Sequence, residues 1–353
     1  MKLVGIGDLF IPNEYILSGF KQFKELGVEV QTVDWKLNDF TELQNINLLV
    51  EHGGSEAYEV PDYIIDACKD ADIIITEFCT VTKKLIDACT NLKAIGVLRA
   101  GYENINVEYA TSKGIMVFNT PGRNADAVAD FTVGVLISES RNIARGHFGL
   151  KNGEWIRTYS NSGHIPDLPG KTVGVIGLGE IGQKVAKRLV GFDVKLLGYD
   201  PFVNSPPYGI EMVSLEELME KSDFVTVHVR AMKETENLIN KELIQKMKPT
   251  AYLINTSRSS VADEKAIYEA LKNKKIAGAA LDVFDVEPPG KEYPLVKLKN
   301  VTITPHMAGG SNDAFYNSPK KLALEMVKLF EGQNSRYMVN KQIFESAIKK
   351  FAE

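Results

Sequence analysis

An arginine, two carboxylates and a histidine lie in the last third of the chain, each just beyond an apolar segment that reads as a strand. Arg258 follows the predicted strand at residues 251–255, Asp282 and Glu287 follow the one at 276–281, and His306 follows the one at 301–304. Ligands of open parallel sheets bind outside the carboxyl ends of the strands. We therefore expect these four side chains to meet at one edge of a sheet.

These residue types fit hydride transfer between a 2-hydroxy acid and its 2-keto acid. A guanidinium stays charged and binds a carboxylate through two parallel hydrogen bonds, which suits Arg258 to holding the acid. Histidine is the side chain best suited to exchange a proton with the reacting oxygen near neutral pH. A carboxylate beside an imidazole fixes its tautomer and favours the protonated ring. The interpretations left open are a surface arginine in a turn, a glutamate that only orients a Pro-Pro loop, and a structural histidine.

A glycine-rich segment, Gly177 to Gly182, supplies the complementary half of such a site. It follows an apolar run that predicts a buried strand, residues 171–176, and it opens a helical pattern. Asp200 then closes a second predicted strand, residues 194–199. This combination is the dinucleotide-binding pattern, with the pyrophosphate at a helix N-terminus and the acid on the ribose hydroxyls. The predicted contacts in the segment are Gly177, Gly179, Glu180, Ile181 and Gly182.

The carboxylate of Asp200 would repel a 2′-phosphate, so the pattern predicts NAD rather than NADP. Two further residues are predicted to line the cofactor site, because each follows a strand: His228 after residues 224–227 and Thr256 after residues 251–255. A glycine turn in some other kind of α/β protein is the alternative.

The composition excludes several classes of protein. The chain has 353 residues, 44% of them hydrophobic, and a formal net charge of −5. This length suits two domains, and the charge gives no reason to expect nucleic-acid or membrane partners. The three cysteines form no metal-binding or disulfide pattern, so no metal is expected. The N-terminus lacks a signal-peptide pattern, and we expect a cytoplasmic protein.

Short apolar runs alternate with helical patterns, which indicates parallel βαβ construction. Five predicted strands precede the glycine segment, at residues 3–6, 28–32, 73–76, 92–97 and 115–118. Residues 14–26 and 63–71 read as helices, and 125–141 as a long apolar helix. Residues 151–170 are expected to pack on a neighbouring domain or subunit. The chain is expected to end in a helix at 318–331 and a polar tail.

Five segments, in order and with matching spacing, resemble the D-isomer-specific 2-hydroxyacid dehydrogenase family. They are residues 119–122, 173–182, 253–258, 280–288 and 304–308. The resemblance implies that Arg258 binds the substrate carboxylate, that His306 is the acid/base with Glu287 as its partner, and that Asp282 contacts the nicotinamide end of NAD.

The resemblance also implies an architecture of two doubly wound parallel-sheet domains. A Rossmann domain would span residues 121–311, and a flavodoxin-like substrate domain would combine 1–120 with 312–353. The active site would lie in the cleft between them, and the protein would be a homodimer. The alternative function is an NAD(H)-sensing, corepressor-like protein on the same fold.

The chain departs from the family pattern where the substrate is expected to bind. Arg99 replaces a glycine in the segment Arg99–Asn106, which suggests a larger or more anionic acid, such as a sugar acid or a phosphorylated one. The alternative is that Arg99 pairs with Glu77 or Glu103. Arg230 stands where the family commonly has proline, facing either the cofactor phosphates or solvent. The predicted substrate-contacting residues are Cys79, Arg99, Ala100, Gly101 and Arg258.

Overall fold

The computed structural model describes residues 1–352 and divides the chain into two compact units. One unit combines Met1–Arg123 with the segment from Ser311 onward, and the other is Asn124–Gly310. The domain bounds expected from the sequence lie within three residues of these. We call them unit 1 and unit 2.

The sheet of unit 1 has five parallel strands: β1 (Lys2–Gly7), β2 (Glu29–Asp34), β3 (Ile73–Thr76), β4 (Ala94–Val97) and β5 (Met116–Phe118). Their order, β2-β1-β3-β4-β5, is that of a flavodoxin-like doubly wound sheet. The helices between them are α1 (Asn13–Gly19), α2 (Phe40–Gly53), α3 (Asp62–Cys68), α4 (Lys83–Ala88) and α5 (Val107–Ser112). Apolar clusters pack on both faces of the sheet, so its inner strands read as continuous apolar runs.

Unit 2 contains a seven-stranded parallel sheet: β6 (Thr172–Ile176), β7 (Lys195–Tyr199), β8 (Glu211–Met212), β9 (Phe224–Val227), β10 (Tyr252–Asn255), β11 (Gly278–Leu281) and β12 (Val301–Ile303). The order β12-β11-β10-β9-β6-β7-β8 reverses between β6 and β9, as in a Rossmann sheet. Its helices are α6 (Ala125–Ser140), α7 (Ile143–Lys151), α8 (Glu180–Leu189), α9 (Leu215–Lys221), α10 (Lys241–Lys246) and α11 (Glu264–Lys272). The predicted pair of doubly wound α/β domains is confirmed.

The C-terminal segment returns to unit 1 and corrects two predictions. Helix α12 spans Asn312–Met326, because Ser311 caps it six residues or more before the predicted start. The predicted polar tail is wrong, since α13 spans Phe344–Ala352. Phe344, Ala347 and Phe351 are buried in the core of unit 1. Their spacing along the helix places these apolar side chains on one face, while the charged residues Glu345, Lys349 and Lys350 lie between them in the sequence.

The first predicted helix, residues 14–26, is also broken in the structure. Helix α1 ends at Gly19, and residues 21–26 form a separate 3-10 helix. A side chain at Gly19 would place a Cβ 2.4 Å from Pro319 Cβ, so glycine permits α1 to approach α12 closely. Among the residues described, no helix has the length and hydropathy needed to cross a membrane.

Candidate active site

The turn between β6 and α8 is shaped by two glycines that the fold itself requires. Gly177 has a φ of +88°, and a Cβ there would lie 2.8 Å from the backbone carbon of His228. A Cβ on Gly182 would lie 1.9 Å from the Gly177 carbonyl oxygen, so only glycine lets α8 pack against the end of β6. These two positions match the structural roles expected from the sequence pattern.

Gly179 differs from the other two, because a Cβ there would meet nothing within 4 Å. The packing of unit 2 therefore does not demand glycine at this position. Gly179 is exposed and caps the N-terminus of α8, where backbone N–H groups and the positive end of the helix dipole favour an anion. The open space above Gly179 fits the close approach of a pyrophosphate.

Asp200 directly follows β7 and supports the glycine turn. Its Oδ2 accepts a hydrogen bond from the Leu178 backbone N–H at 2.8 Å, and Oδ1 accepts one from Phe202 at 2.9 Å. An ionised carboxylate has about four acceptor positions, so it can still accept from ribose hydroxyls. The sequence did not reveal this contact with the turn. Of the other predicted contacts in the turn, Glu180 is exposed and Ile181 is half-buried.

His228 lies beside the glycine turn and stays neutral. Its backbone N–H donates to the Ile176 carbonyl at 2.7 Å, and its Nε2 lies 2.9 Å from Thr226 Oγ1. Burial lowers the pKa of the ring to about 3, although part of the residue remains exposed. A ring that does not protonate at neutral pH cannot serve as the acid, which agrees with its exclusion from the catalytic set. Arg230, two residues later, is exposed.

His306 and Glu287 form a hydrogen-bonded pair at the carboxyl end of the sheet. Nδ1 of His306 lies 2.7 Å from Oε2 of Glu287. The other oxygen of Glu287 accepts a hydrogen bond from the Phe284 backbone N–H at 3.0 Å, which fixes the carboxylate. The side chains of His306 and Glu287 keep 45% and 35% of their surface exposed, and the hydrogen bond to Glu287 leaves the opposite ring nitrogen, Nε2, for a ligand. The geometry is that of a histidine acid/base oriented by a carboxylate.

Asp282 holds the turn that presents His306. It is 1% exposed, and its Oδ1 accepts hydrogen bonds from Thr304 Oγ1 at 2.6 Å and the Met307 N–H at 3.0 Å. Its Oδ2 accepts from the Ala308 N–H at 2.8 Å. These bonds stabilise a turn in which His306 has a φ of +49°, in the left-handed region. The contact with nicotinamide expected for Asp282 stays a prediction, and this positioning role was missed.

Arg258 lies in the turn after β10 and is exposed, with Nη1 donating to the Ser257 carbonyl at 2.8 Å. Asn255 shapes this turn, because its side chain donates to the Arg258 carbonyl and accepts from the Ser257 N–H. Strands β10, β11 and β12 are neighbours in the sheet, so the turns that carry Arg258, Asp282 and His306 lie side by side. Thr256 is buried, with its hydroxyl 2.7 Å from that of Thr132.

In unit 1, Arg99 follows β4 and is surrounded by partners. Its guanidinium donates to Glu103 at 2.9 Å and to Asn47 at 2.5 Å, and it lies 3.3 Å from Glu51. It also lies over the Phe78 ring, and only 11% of the side chain is exposed. The alternative in which Arg99 pairs with Glu103 is thus present in the structure. Its charge is already compensated, which removes the argument for a more anionic substrate.

The other predicted substrate-contacting residues differ in burial: Ala100 and Gly101 are at least partly exposed, and Cys79 lies in the core. The Ala100 carbonyl accepts a hydrogen bond from Asn119 at 2.6 Å, and Ala100 itself is exposed next to the half-buried Gly101. Cys79 is 0% exposed, and burial raises the pKa of its thiol. Its side chain belongs to the core of unit 1, so the predicted substrate contact of Cys79 is corrected to a packing role.

A buried ionic cluster at the carboxyl edge of the unit 1 sheet was not foreseen. Glu77 follows β3, is 0% exposed and pairs with Arg123, whose Nη1 lies 2.6 Å from Oε1. Asp8 follows β1 and is buried nearby. Burial raises the pKa of Glu77 to about 8 and that of Asp8 to about 6, against the opposing effect of Arg123. Glu77 thus gives Arg123 a buried partner within unit 1.

Comparisons with known proteins agree with the geometry. Residues 133–308 match the family model for the NAD binding domain of D-isomer specific 2-hydroxyacid dehydrogenases. The chain is 41% identical over 286 residues to a glyoxylate reductase of Thermofilum pendens, covering 78% of this chain and 83% of that protein. It is 40% identical over 282 residues to a D-3-phosphoglycerate dehydrogenase of Methanocaldococcus jannaschii, covering 78% of this chain and 53% of that protein.

Among solved structures, the fold is similar to that of a D-isomer specific 2-hydroxyacid dehydrogenase of Lactobacillus delbrueckii ssp. bulgaricus. The TM-score is 0.76 at 22% sequence identity, and the match covers 96% of this chain and 100% of the other. At this identity the likeness concerns the fold.

Proposed function

The chain belongs to the D-isomer specific 2-hydroxyacid dehydrogenase family, which makes it an NAD-dependent oxidoreductase, and from that premise we propose how its own residues act. It interconverts a D-2-hydroxy acid and the corresponding 2-keto acid. The observation that carries the proposal is the 2.7 Å pair of His306 and Glu287, set in the same sheet as the glycine turn.

We infer that the glycine turn and Asp200 hold the cofactor. The backbone at Gly179 and the N-terminus of α8 bind the pyrophosphate, and Asp200 accepts hydrogen bonds from the ribose hydroxyls. Bound NADH supplies the hydride that reduces the carbonyl carbon. The preference for NAD follows from the negative charge of Asp200 next to the glycine turn.

The remaining groups act on the acid. Arg258 binds the carboxylate of the keto acid, since its guanidinium has no carboxylate partner among the residues described. His306 donates a proton from Nε2 to the carbonyl oxygen as that oxygen gains charge, and Glu287 holds the opposite ring nitrogen. In the oxidative direction the neutral ring accepts the hydroxyl proton.

The substrate is a short 2-hydroxy or 2-keto acid, with sugar acids and phosphorylated acids as the wider class. Relatives named for glyoxylate and for D-3-phosphoglycerate place those two compounds first in a substrate panel. NADH oxidation should be measured with the keto acids and NAD reduction with the hydroxy acids. Tight NADH binding without turnover of any acid would instead favour the NAD(H)-sensing alternative.

The role of His306 is tested by replacing it with glutamine. His306→Gln should lower kcat by about 10²- to 10⁴-fold, the usual contribution of a general acid, while the Kd for NADH stays within about twofold. His52→Gln, which changes an exposed histidine at the end of α2, is the matched control. Unchanged turnover in His306→Gln would reject the assignment.

We also propose that the protein forms a homodimer through α7 and the segment that follows it. Helix α6 is covered by α8 of the same unit through Lys184–Asp126 and Arg188–Asp130. The exposed apolar side chains lie further on, at Ile143, Phe148, Leu150, Trp155, Ile156 and Ile165. Large exposed apolar side chains concentrated in one segment favour an interaction site there. A cytoplasmic location stays a prediction.

A further inference from the structure

The segment that carries Glu287 has no regular secondary structure to hold it in place. It runs from the end of β11 to a 3-10 helix at Pro294–Lys297, and its described residues form neither helix nor strand. The catalytic geometry therefore depends on individual contacts. One of them, from the Phe284 N–H to Glu287 Oε1, is local to the segment.

Glu264, the first residue of α11, contacts this segment on both sides of Glu287. Its Oε2 accepts a hydrogen bond from the Asp285 backbone N–H at 3.0 Å. Its Oε1 accepts one from the Tyr293 hydroxyl. One carboxylate thus fixes the positions two residues before and six residues after Glu287.

Glu264 and Tyr293 are themselves fixed by neighbouring contacts. Asp263 caps α11 by accepting a hydrogen bond from the Ala266 N–H at 2.9 Å, and a negative charge in the first turn suits the helix dipole. The Tyr293 ring packs edge-on against Phe284, with centroids 6.0 Å apart. Burial and the Glu264 carboxylate raise the pKa of Tyr293, so its hydroxyl remains a donor.

We propose that Glu264 and Tyr293 are positioning residues that hold Glu287 against His306. Neither contacts the reacting groups in the structure. They act by limiting the positions of the Glu287 carboxylate, and through it the orientation of the imidazole. The expected kinetic effects rest on the proposed function. The expected effect on the orientation of the His306 ring does not.

The kinetic test uses matched single variants. Glu264→Ala removes both contacts and should lower kcat about tenfold or more, and Tyr293→Phe should lower it severalfold, since misplacing a catalytic group slows turnover without weakening cofactor binding. The Kd for NADH should stay within about twofold. Glu264→Gln keeps one acceptor and should recover part of the loss. The controls are Glu269→Ala, an exposed position on α11, and Tyr268→Phe, whose ring packs against the same core.

A double-mutant cycle separates positioning from general destabilisation. If Glu264 acts through Glu287, adding Glu264→Ala to Glu287→Gln should slow kcat by less than about twofold beyond Glu287→Gln alone. If the two effects multiply instead, Glu264 acts independently of Glu287 and the proposal is overturned.

A second readout needs no turnover. The imidazole signals of His306 can be followed by NMR and assigned by their disappearance in His306→Gln. Because the hydrogen bond with Glu287 fixes the surroundings of Nδ1, these signals should shift in both Glu287→Gln and Glu264→Ala, but not in Glu269→Ala. A shift in Glu287→Gln without one in Glu264→Ala would overturn the proposal. An absence of turnover in the wild-type protein would count against the proposed function alone.

Discussion

Glu287 and Asp282, the two carboxylates that follow β11, each stabilise a different part of His306. Glu287 holds the ring through Nδ1, and Asp282 holds the backbone turn through three donors. The sequence predicted the first contact, because a carboxylate and a histidine followed neighbouring strands. It could not predict the second, since the donors to Asp282 include backbone N–H groups whose directions depend on the left-handed conformation of His306.

Arg99 and Cys79 show the same limit in unit 1. Cys79 follows β3, and Arg99 replaces a glycine of the family pattern after β4, which made both candidates for the substrate site. The sequence offered Glu103 as a partner of Arg99, but Asn47 and Glu51 come from α2, a helix that the sequence analysis did not identify. The direction of the Cys79 side chain, toward the core, depends on the turn after β3.

Glu77 gives a prediction about the pH dependence of stability. Its pKa is raised from 4.5 to about 8 in the folded protein, so between these values the folded state binds a proton that the unfolded chain has lost. The free energy of unfolding must therefore fall as pH rises through this window, by at most about 1.4 kcal/mol per pH unit for one proton. Glu77→Gln should reduce that fall between pH 6.5 and 8.5, as measured by urea unfolding.

Glu103→Gln, at an exposed partner of Arg99, is the control for this measurement. The comparison between variants cancels the opposite contribution of His228, whose lowered pKa makes stability rise with pH as the unfolded ring loses its proton. An identical pH slope in Glu77→Gln and the wild-type protein would contradict the prediction.

At the scale of elements, the glycine turn offers a pair of contrasting substitutions. Gly182→Ala would force a Cβ to 1.9 Å from the Gly177 carbonyl, so it should lower the Tm and weaken NADH binding together. Gly179→Ala meets nothing within 4 Å and should leave the Tm within about 2 °C, because exposed substitutions away from packed groups change stability little. Its added methyl group should still weaken NADH binding by about tenfold or more, since the backbone must approach the pyrophosphate closely.

Thermal unfolding and fluorescence titration with NADH test this pair. Unchanged NADH binding in Gly179→Ala would show that the open face of Gly179 is not where the cofactor binds. Gly191→Ala, another position where a Cβ meets nothing, serves as the control outside the turn.

The strands were predictable because buried parallel strands are short apolar runs bounded by turns. Helices were harder wherever tertiary packing decided their limits. Helix α1 stops where α12 crosses it, and α13 forms because Phe344 and Phe351 find a core supplied by distant parts of unit 1. For α1 the deciding neighbour is Pro319 of α12, which lies 300 residues beyond Gly19 in the sequence.

At the scale of the whole molecule, the exposed patch on unit 2 predicts how the protein assembles. Phe148 and Trp155 keep 71% and 80% of their surface exposed, a costly arrangement for an isolated chain. The double substitution Phe148→Ser with Trp155→Ser should convert a dimer into a monomer, which sedimentation velocity can measure. Phe202→Ser, at an equally exposed aromatic residue near the glycine turn, should leave the dimer intact. A wild-type protein that sediments as a monomer would reject the proposed interface.

The return of the C-terminal segment to unit 1 bears on the order in which the protein becomes folded during synthesis. Unit 2 is continuous in sequence, so all of its residues have left the ribosome once Gly310 has emerged. The strands of unit 1 are made before unit 2, but its core lacks Leu322, Met326, Phe344 and Phe351 until residues beyond Gly310 have also been made. One face of the N-terminal sheet therefore stays partly uncovered until the C-terminal segment has been made. Unit 2 is made after the N-terminal part of unit 1, yet it can complete its fold earlier. Unit 1 would therefore be the part that needs chaperones to protect the nascent chain.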